Sequence, residues 1–166
     1  LEEFKKFLRR ESCWVTTEAK KEMEKVKTYL RRLFVDETIT VSANDETETF
    51  QGAGFVIGYV HSDYKRVVEP RPQMVATIYE LVENGTFGQF LAGNPGRWIE
   101  SQVVKFCHEN RDRLRTDGHA TFFELEGGFV AYVDLLSGGR PVVSVYRFGA
   151  DRVWYAEFRN RVVIPQ

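Results

Sequence analysis

The chain has 166 residues, a length typical of one domain that buries roughly two-thirds of the surface its unfolded form exposes. Hydrophobic residues make up 43% and charged residues 28%, which excludes disordered, collagen-like and low-complexity proteins. With 23 basic and 24 acidic side chains the formal charge is −1, so no overall field attracts nucleic acid or an anionic membrane. We expect one folded domain over residues 1–166.

The two cysteines indicate neither a disulfide framework nor a metal site. Cys13 and Cys107 lie far apart, and neither has a CxxC partner or a histidine at metal-ligand spacing. No apolar run reaches the roughly 18 residues of a membrane span, and the first twenty residues are charged where a secretory signal is apolar. The sequence predicts a cytoplasmic protein with no membrane contact, no metal and no cofactor.

The N-terminal part of the chain has helical periodicity. Apolar residues at three- and four-residue steps predict a helix over residues 17–34, and a shorter helix is predicted over residues 2–10. The period then changes to alternation. This change predicts a β-hairpin of strands 39–43 and 53–60, joined across a polar loop at residues 44–48.

Two further helices are predicted in the middle of the chain. After Pro70 and Pro72, an apolar stripe of helical spacing begins at Met74 and continues to Gly85. Another stripe predicts a helix over residues 97–115. Beyond residue 118, aromatic and β-branched runs separated by glycine-rich turns predict a four-stranded antiparallel meander.

Together these elements predict an α+β fold. It consists of N-terminal helices and a β-hairpin, two further helices, and a C-terminal antiparallel four-stranded meander that forms one curved sheet. The same order of elements also fits a cystatin-like cone, which is an analogy of element order only and stands as the alternative.

The turns of the meander set which side chains share a face. We take Gly127-Gly128, Gly138-Gly139 and Ala150-Asp151 as two-residue turns, which fixes the pairing of every strand. One face then carries an apolar set that includes Val130, Tyr132, Trp154 and Phe158. The opposite face mixes aromatic and polar side chains, and we take it as a candidate ligand or partner face: Phe122, Glu124, Ser144, Tyr146, Tyr155 and Glu157.

The preferred interpretation is a small binding or interaction module. The mixed face would pair with a second copy to form a homodimer, or receive a protein partner or small ligand. The aromatic content of 14% and the Arg-, Trp- and Tyr-rich stretch over residues 147–161 favour such contacts.

The alternative is a small-molecule hydrolase or isomerase that uses the same face. Glu124 or Glu157 would be the base, and Tyr146 or Tyr155 would donate a hydrogen bond. Strands about 4.8 Å apart place the two carboxylates on the order of 14 Å apart in a flat sheet, so a catalytic pair requires strong curling. Of the three histidines, His119 is the candidate base, because it leads into the mixed face.

Nucleic-acid binding is the third possibility. The first 34 residues hold ten Lys or Arg and six Glu, so the predicted N-terminal helices are locally basic. However, the glutamates interleave with lysines at helical spacing, which is typical of a solvated, ion-paired face. This pattern disfavours nucleic acid as the partner.

Overall fold

The computed structural model describes residues 29–44 and 47–166, and these form a mixed eight-stranded sheet with two short helices. The strands are β1 (Leu30–Arg32), β2 (Ile39–Val41), β3 (Val56–Val60), β4 (Met74–Leu81), β5 (Thr121–Leu125), β6 (Phe129–Leu135), β7 (Pro141–Arg147) and β8 (Arg161–Pro165). The helices are α1 (Phe87–Phe90) and α2 (Glu100–Glu109), and single 3₁₀ turns cover Arg111–Arg113 and Ala156–Phe158.

The strand order is β1-β4-β8-β5-β6-β7-β3, and β2 pairs with the beginning of β4 while β1 pairs with its end. The pairs β3–β7 and β5–β8 are parallel, and the other pairs are antiparallel. The last strand of the chain therefore lies inside the sheet, between β4 and β5.

The predicted α+β fold is wrong, and β4 is the clearest error. Residues 74–81 carry the stripe that predicted a helix, yet they form an eight-residue strand. In this strand Ala76, Thr77 and Ile78 are buried one after another, because both faces of the sheet are covered there. A strand buried on both faces reads as a continuous apolar run, so periodicity alone does not distinguish it from a helix.

The predicted N-terminal helices lie mostly outside the described residues. Nothing described covers residues 2–10, and of the predicted helix at 17–34 only the end is described. In that end Tyr29 is helical, as predicted, but Leu30–Arg32 form β1, which pairs antiparallel with the end of β4. Phe34, also placed in the helix, has a left-handed backbone conformation with φ of 52°.

The predicted hairpin and meander are each wrong in their pairing. β2 and β3 do form, but β2 pairs with β4 and β3 runs parallel to β7. β5, β6 and β7 are antiparallel neighbours, whereas residues 153–158, taken as the fourth strand, form a loop and a 3₁₀ turn. The cystatin-like alternative is wrong for the same reasons. The helix predicted over 97–115 is shortened to α2 followed by a 3₁₀ turn.

Two apolar cores cover the two faces of the sheet. On one face α2 packs over β4 to β7, and Trp98, fully buried, lies at the centre of this core. Its indole N–H donates to the Val163 carbonyl at 2.8 Å, and its ring meets Phe106 and Phe123 edge-on at 5.7 and 5.4 Å. On the other face α1 and Trp154 cover β5 and β6. Neither described helix has the length and apolar character that crossing a membrane requires.

We expect Trp98→Phe to lower the free energy of unfolding by about 2 kcal/mol. The substitution removes one buried hydrogen bond and leaves a gap between two phenyl rings and β8. Chemical denaturation followed by circular dichroism measures this loss. The control Val35→Ala alters a side chain that is 62% exposed and should change stability by less than about 0.5 kcal/mol. An equally small effect of Trp98→Phe would contradict the role assigned to this core.

Candidate functional site: an aromatic pocket

Both glycine corners of the sheet are one residue longer than predicted. Leu125 pairs with Phe129, so the first corner holds residues 126–128, and the second holds residues 137–139 because Leu136 bonds to Arg140. Gly127 and Gly128 have φ of 86° and 84°, a conformation that glycine adopts without strain. A one-residue shift turns every side chain of the next strand to the opposite face. The two shifts cancel, so β5 and β7 keep their predicted relation while β6 is reversed.

The structure therefore brings four of the candidate residues to one face, together with side chains predicted on the other. Phe122, Tyr132 and Ser144 form one row across β5, β6 and β7. Glu124, Val130 and Tyr146 form the next row.

Three of these four side chains pack against other residues of the fold. Phe122 is fully buried, with Trp154 at 4.7 Å and Phe87 at 5.3 Å between ring centroids. Ser144 lies against β3, where a Cβ at Gly58 would come within 2.8 Å of its hydroxyl. Tyr146 stacks on Tyr59 at 5.3 Å. These side chains build the sheet face and do not by themselves form an open site.

Glu124 is a buried carboxylate with its own partners. Its side chain is 6% exposed; Oε1 lies 2.6 Å from Arg97 Nε, and Oε2 accepts from Asn94 Nδ2 at 3.2 Å. Burial raises the pKa of Glu124 to about 7, although Arg97 and Asn94 act in the opposite direction. Glu157 is exposed on the 3₁₀ turn at Ala156–Phe158, so the structure does not bring the two candidate carboxylates together.

A cavity of about 350 Å³ opens between β6 and the segment that leads from β7 to β8. We call residues 148–160 the crossover segment, and we call this cavity the aromatic pocket. The lining residues are Gly118, His119, Tyr132, Arg152, Val153, Trp154, Tyr155, Phe158 and Asn160. The pocket thus contains two of the sequence candidates, His119 and Tyr155. Tyr132, Trp154 and Phe158 were predicted on the opposite, apolar face.

Trp154 forms the inner wall of the aromatic pocket. It is 5% exposed and packs on Tyr132 at 5.6 Å between ring centroids. Two backbone hydrogen bonds with Gly85, of 2.8 and 3.0 Å, fix its position. Its indole Nε1 is buried and has no hydrogen-bond partner among the described residues. A buried donor without an acceptor costs about 1–3 kcal/mol.

The mouth of the pocket is aromatic and half-exposed. Phe158 stacks on His119 with ring centroids 5.4 Å apart, and Tyr155 meets Phe158 edge-on at 6.3 Å. Tyr155 and Phe158 are 49% and 42% exposed. Behind them, Asn160 accepts the Ala120 N–H at 2.9 Å and ties the end of the crossover segment to the residue before β5. The mouth therefore offers apolar area that a ligand would cover.

Arg152 is a charged residue of the pocket lining, and Asp134 lies close to the pocket. The guanidinium of Arg152 lies 4.2 Å from the ring centroid of Trp154, and in the described part of the chain no carboxylate pairs with it. Asp134 lies outside the lining. Burial raises its pKa, while the Leu135 N–H and His119 lower it. The pKa of Tyr132 is also raised, chiefly by burial, so its phenol stays protonated.

A second cleft, of about 410 Å³, lies at the β3 edge of the sheet next to Tyr59, His61 and Tyr146. Its arginine, Arg147, is already paired with Asp63, and its two tyrosines stack on each other. It has fewer groups without partners than the aromatic pocket, so we take the aromatic pocket as the candidate site.

The described residues do not suggest a metal centre. Residues 29–44 and 47–166 contain no group of three or more histidine, cysteine or acidic side chains that could hold a metal ion. Cys107 belongs to α2 and is buried in the core between this helix and the sheet, and burial raises the pKa of its thiol.

Comparison with known proteins found no matching family model, no matching curated protein and no matching solved structure. The function is therefore inferred from the geometry of the pocket.

We expect Glu124 to make the protein less stable as the pH rises. The unfolded chain loses this proton near the ordinary pKa of 4.5, whereas the folded chain keeps it up to about 7. The contribution of Glu124 to stability is therefore highest below about pH 4.5 and falls through about pH 7, by on the order of 3 kcal/mol. The measurement is urea denaturation across this range for the wild type and for Glu124→Gln, which removes the titration.

Glu157→Gln is the matched control, because it removes an exposed carboxylate and should leave the pH dependence intact. If the wild type instead gains stability relative to Glu124→Gln as the pH rises, the ion pair with Arg97 outweighs the effect of burial on the pKa of Glu124.

Proposed function

We propose that this protein is a small-molecule-binding module and that its ligand occupies the aromatic pocket. The observation that carries the proposal is the cavity of about 350 Å³, which Trp154 walls on the inside and the half-exposed Tyr155 and Phe158 border at the mouth. The rings of Tyr132, Tyr155 and Phe158 surround the same cavity. An apolar, aromatic cavity with a few polar groups is the usual form of a ligand site.

The size of the pocket supports a small ligand. Its volume lies near the lower end of the range of about 300–1,000 Å³ that small-molecule sites occupy. A ring system that covers Tyr155 and Phe158 would also remove apolar surface from water, which favours binding by roughly 25 cal/mol per Å².

The geometry supports binding more than catalysis. The hydrolase or isomerase alternative needs a carboxylate base beside a tyrosine in one cavity. Glu124 has a pKa suited to a general base, but it is not among the residues that line the aromatic pocket. The third possibility, nucleic-acid contact by the basic first 34 residues, depends mostly on residues 1–28, which lie outside the described residues.

A homodimer is a second candidate, and β3 is the surface that favours it. This strand lies at one end of the sheet, contains no charged residue, and exposes Ile57, Tyr59 and Val60. An uncharged, exposed edge strand is a template for pairing with another chain. Phe122, Glu124 and Ser144, proposed from the sequence as the interface, are buried within the fold.

The ligand proposal predicts that aromatic compounds stabilise the protein through this pocket. In a thermal-shift screen of one- and two-ring compounds, hits should raise the melting temperature, because a ligand at 100 times its Kd adds about 2.7 kcal/mol. Tyr155→Ala should abolish most of the shift, whereas Tyr59→Ala, at an exposed tyrosine outside the pocket, should not. A screen without hits, or hits that respond equally to both variants, would count against the proposal.

The dimer proposal predicts that a charge on β3 yields monomers. Sedimentation velocity should show a dimer for the wild type and a monomer for Tyr59→Lys, because the charge would be buried unpaired at the strand edge. Tyr155→Lys introduces the same charge at an exposed tyrosine away from β3 and should remain dimeric. A monomeric wild type would overturn this proposal.

A further inference from the structure

We propose that the ligand of the aromatic pocket is a planar aromatic anion, with its acidic group held by Arg152 beside the wall that Trp154 forms. This inference rests on the proposed function and adds the chemical class of the ligand. The charge of the lining, the position of Arg152 and the shape of the walls support it.

The charge of the lining favours an anion. Arg152 is the charged side chain among the lining residues, which include no aspartate or glutamate. Its guanidinium stays protonated in proteins, so its positive charge is permanent. Because no carboxylate of the described residues pairs with it, an anionic ligand would supply the missing counter-charge. A cationic ligand would meet repulsion at the same place.

The donors near Trp154 favour an acidic group with two oxygens. Arg152 stacks on the indole, and a stacked guanidinium keeps its N–H groups available in its own plane. A carboxylate can accept two N–H groups of one guanidinium, and hydrogen bonds to a charged acceptor are stronger than those to a neutral one.

The walls favour a flat ring. Tyr132, Tyr155, Phe158 and His119 are planar, and the two rings at the mouth meet edge-on. Aromatic rings associate in offset-stacked or edge-on arrangements at about 4.5–7 Å between centroids. A planar ligand can extend this pattern without displacing a side chain.

The carboxylate of Asp134 would repel an anionic ligand, so replacing it tests the charge of the ligand independently of Arg152. Its charge acts on Tyr132, which lines the pocket, and its Oδ1 is buried without a partner among the described residues. Replacing the carboxylate with an amide of the same shape would remove this repulsion. An anionic ligand should then bind more tightly, and a neutral one should not.

The test uses three probes that share a ring and differ in charge: 2-naphthoate, 2-naphthalenemethanol and 2-naphthylmethylamine. Isothermal titration calorimetry at constant ionic strength should show naphthoate binding about ten-fold more tightly than the alcohol, with the amine weakest. Arg152→Gln should lower the affinity for naphthoate about ten-fold and leave the affinity for the alcohol unchanged.

Asp134→Asn should raise the affinity for naphthoate by a factor on the order of 3. Arg140→Gln, at an exposed arginine in the β6–β7 corner, is the matched control and should change nothing.

The outcomes separate the ligand class from the pocket itself. If the alcohol or amine binds as tightly as naphthoate and Tyr155→Ala weakens that binding, the ligand class is wrong and the pocket stands. If Arg152→Gln weakens the alcohol as much as naphthoate, Arg152 acts by packing on Trp154 and the charge argument is overturned. If no probe binds, or if Tyr155→Ala leaves the affinity of the probes unchanged, the proposed function fails.

Discussion

The position of β8 is the constraint on which the rest of the molecule depends. β8 pairs antiparallel with β4 and parallel with β5, and it joins the two parts of the sheet. It follows β7 in the chain but lies three places away from it in the strand order. Parallel strands require a crossover connection, so residues 148–160 must pass over β6 and β5. That passage places Trp154 on Phe122 and Tyr132, and it creates both the second core and the aromatic pocket.

Local sequence patterns predicted the parts of the fold whose pairing is local. β5, β6 and β7 are neighbours in sequence and in space, and glycine corners with positive φ mark their ends. β4 could not be predicted in this way, because its two covered faces remove the alternation that identifies a strand. The partners of β8 could not be predicted either. A strand pairing between residues 81 to 89 positions apart leaves no local pattern for a turn or a period to reveal.

The candidate face was predicted in part, but only because two errors in the register cancel. Glu124 and Tyr146 share a row because two one-residue errors in the corners compensate, while β6 was assigned to the wrong face. Tyr155 was singled out as a strand residue and lies in a loop. The stretch over residues 147–161 did carry a usable signal, since its density of aromatic and arginine side chains exceeds the needs of one strand. Its meaning depends on the crossover, which the sequence pattern does not show.

The crossover segment holds the pocket, but it contributes little to the hydrogen-bonded ladder of the sheet. Between β7 and β8 its ladder contact is the bridge between Trp154 and Gly85. Substitutions at residues 151–153 and 155–158 would therefore reshape the aromatic pocket while the eight strands keep their pairing, whereas Trp154 belongs to the second core. If the pocket binds a ligand as proposed, such an arrangement would let selection diversify ligand preference in one short stretch of chain, much as antibody loops vary on a constant framework.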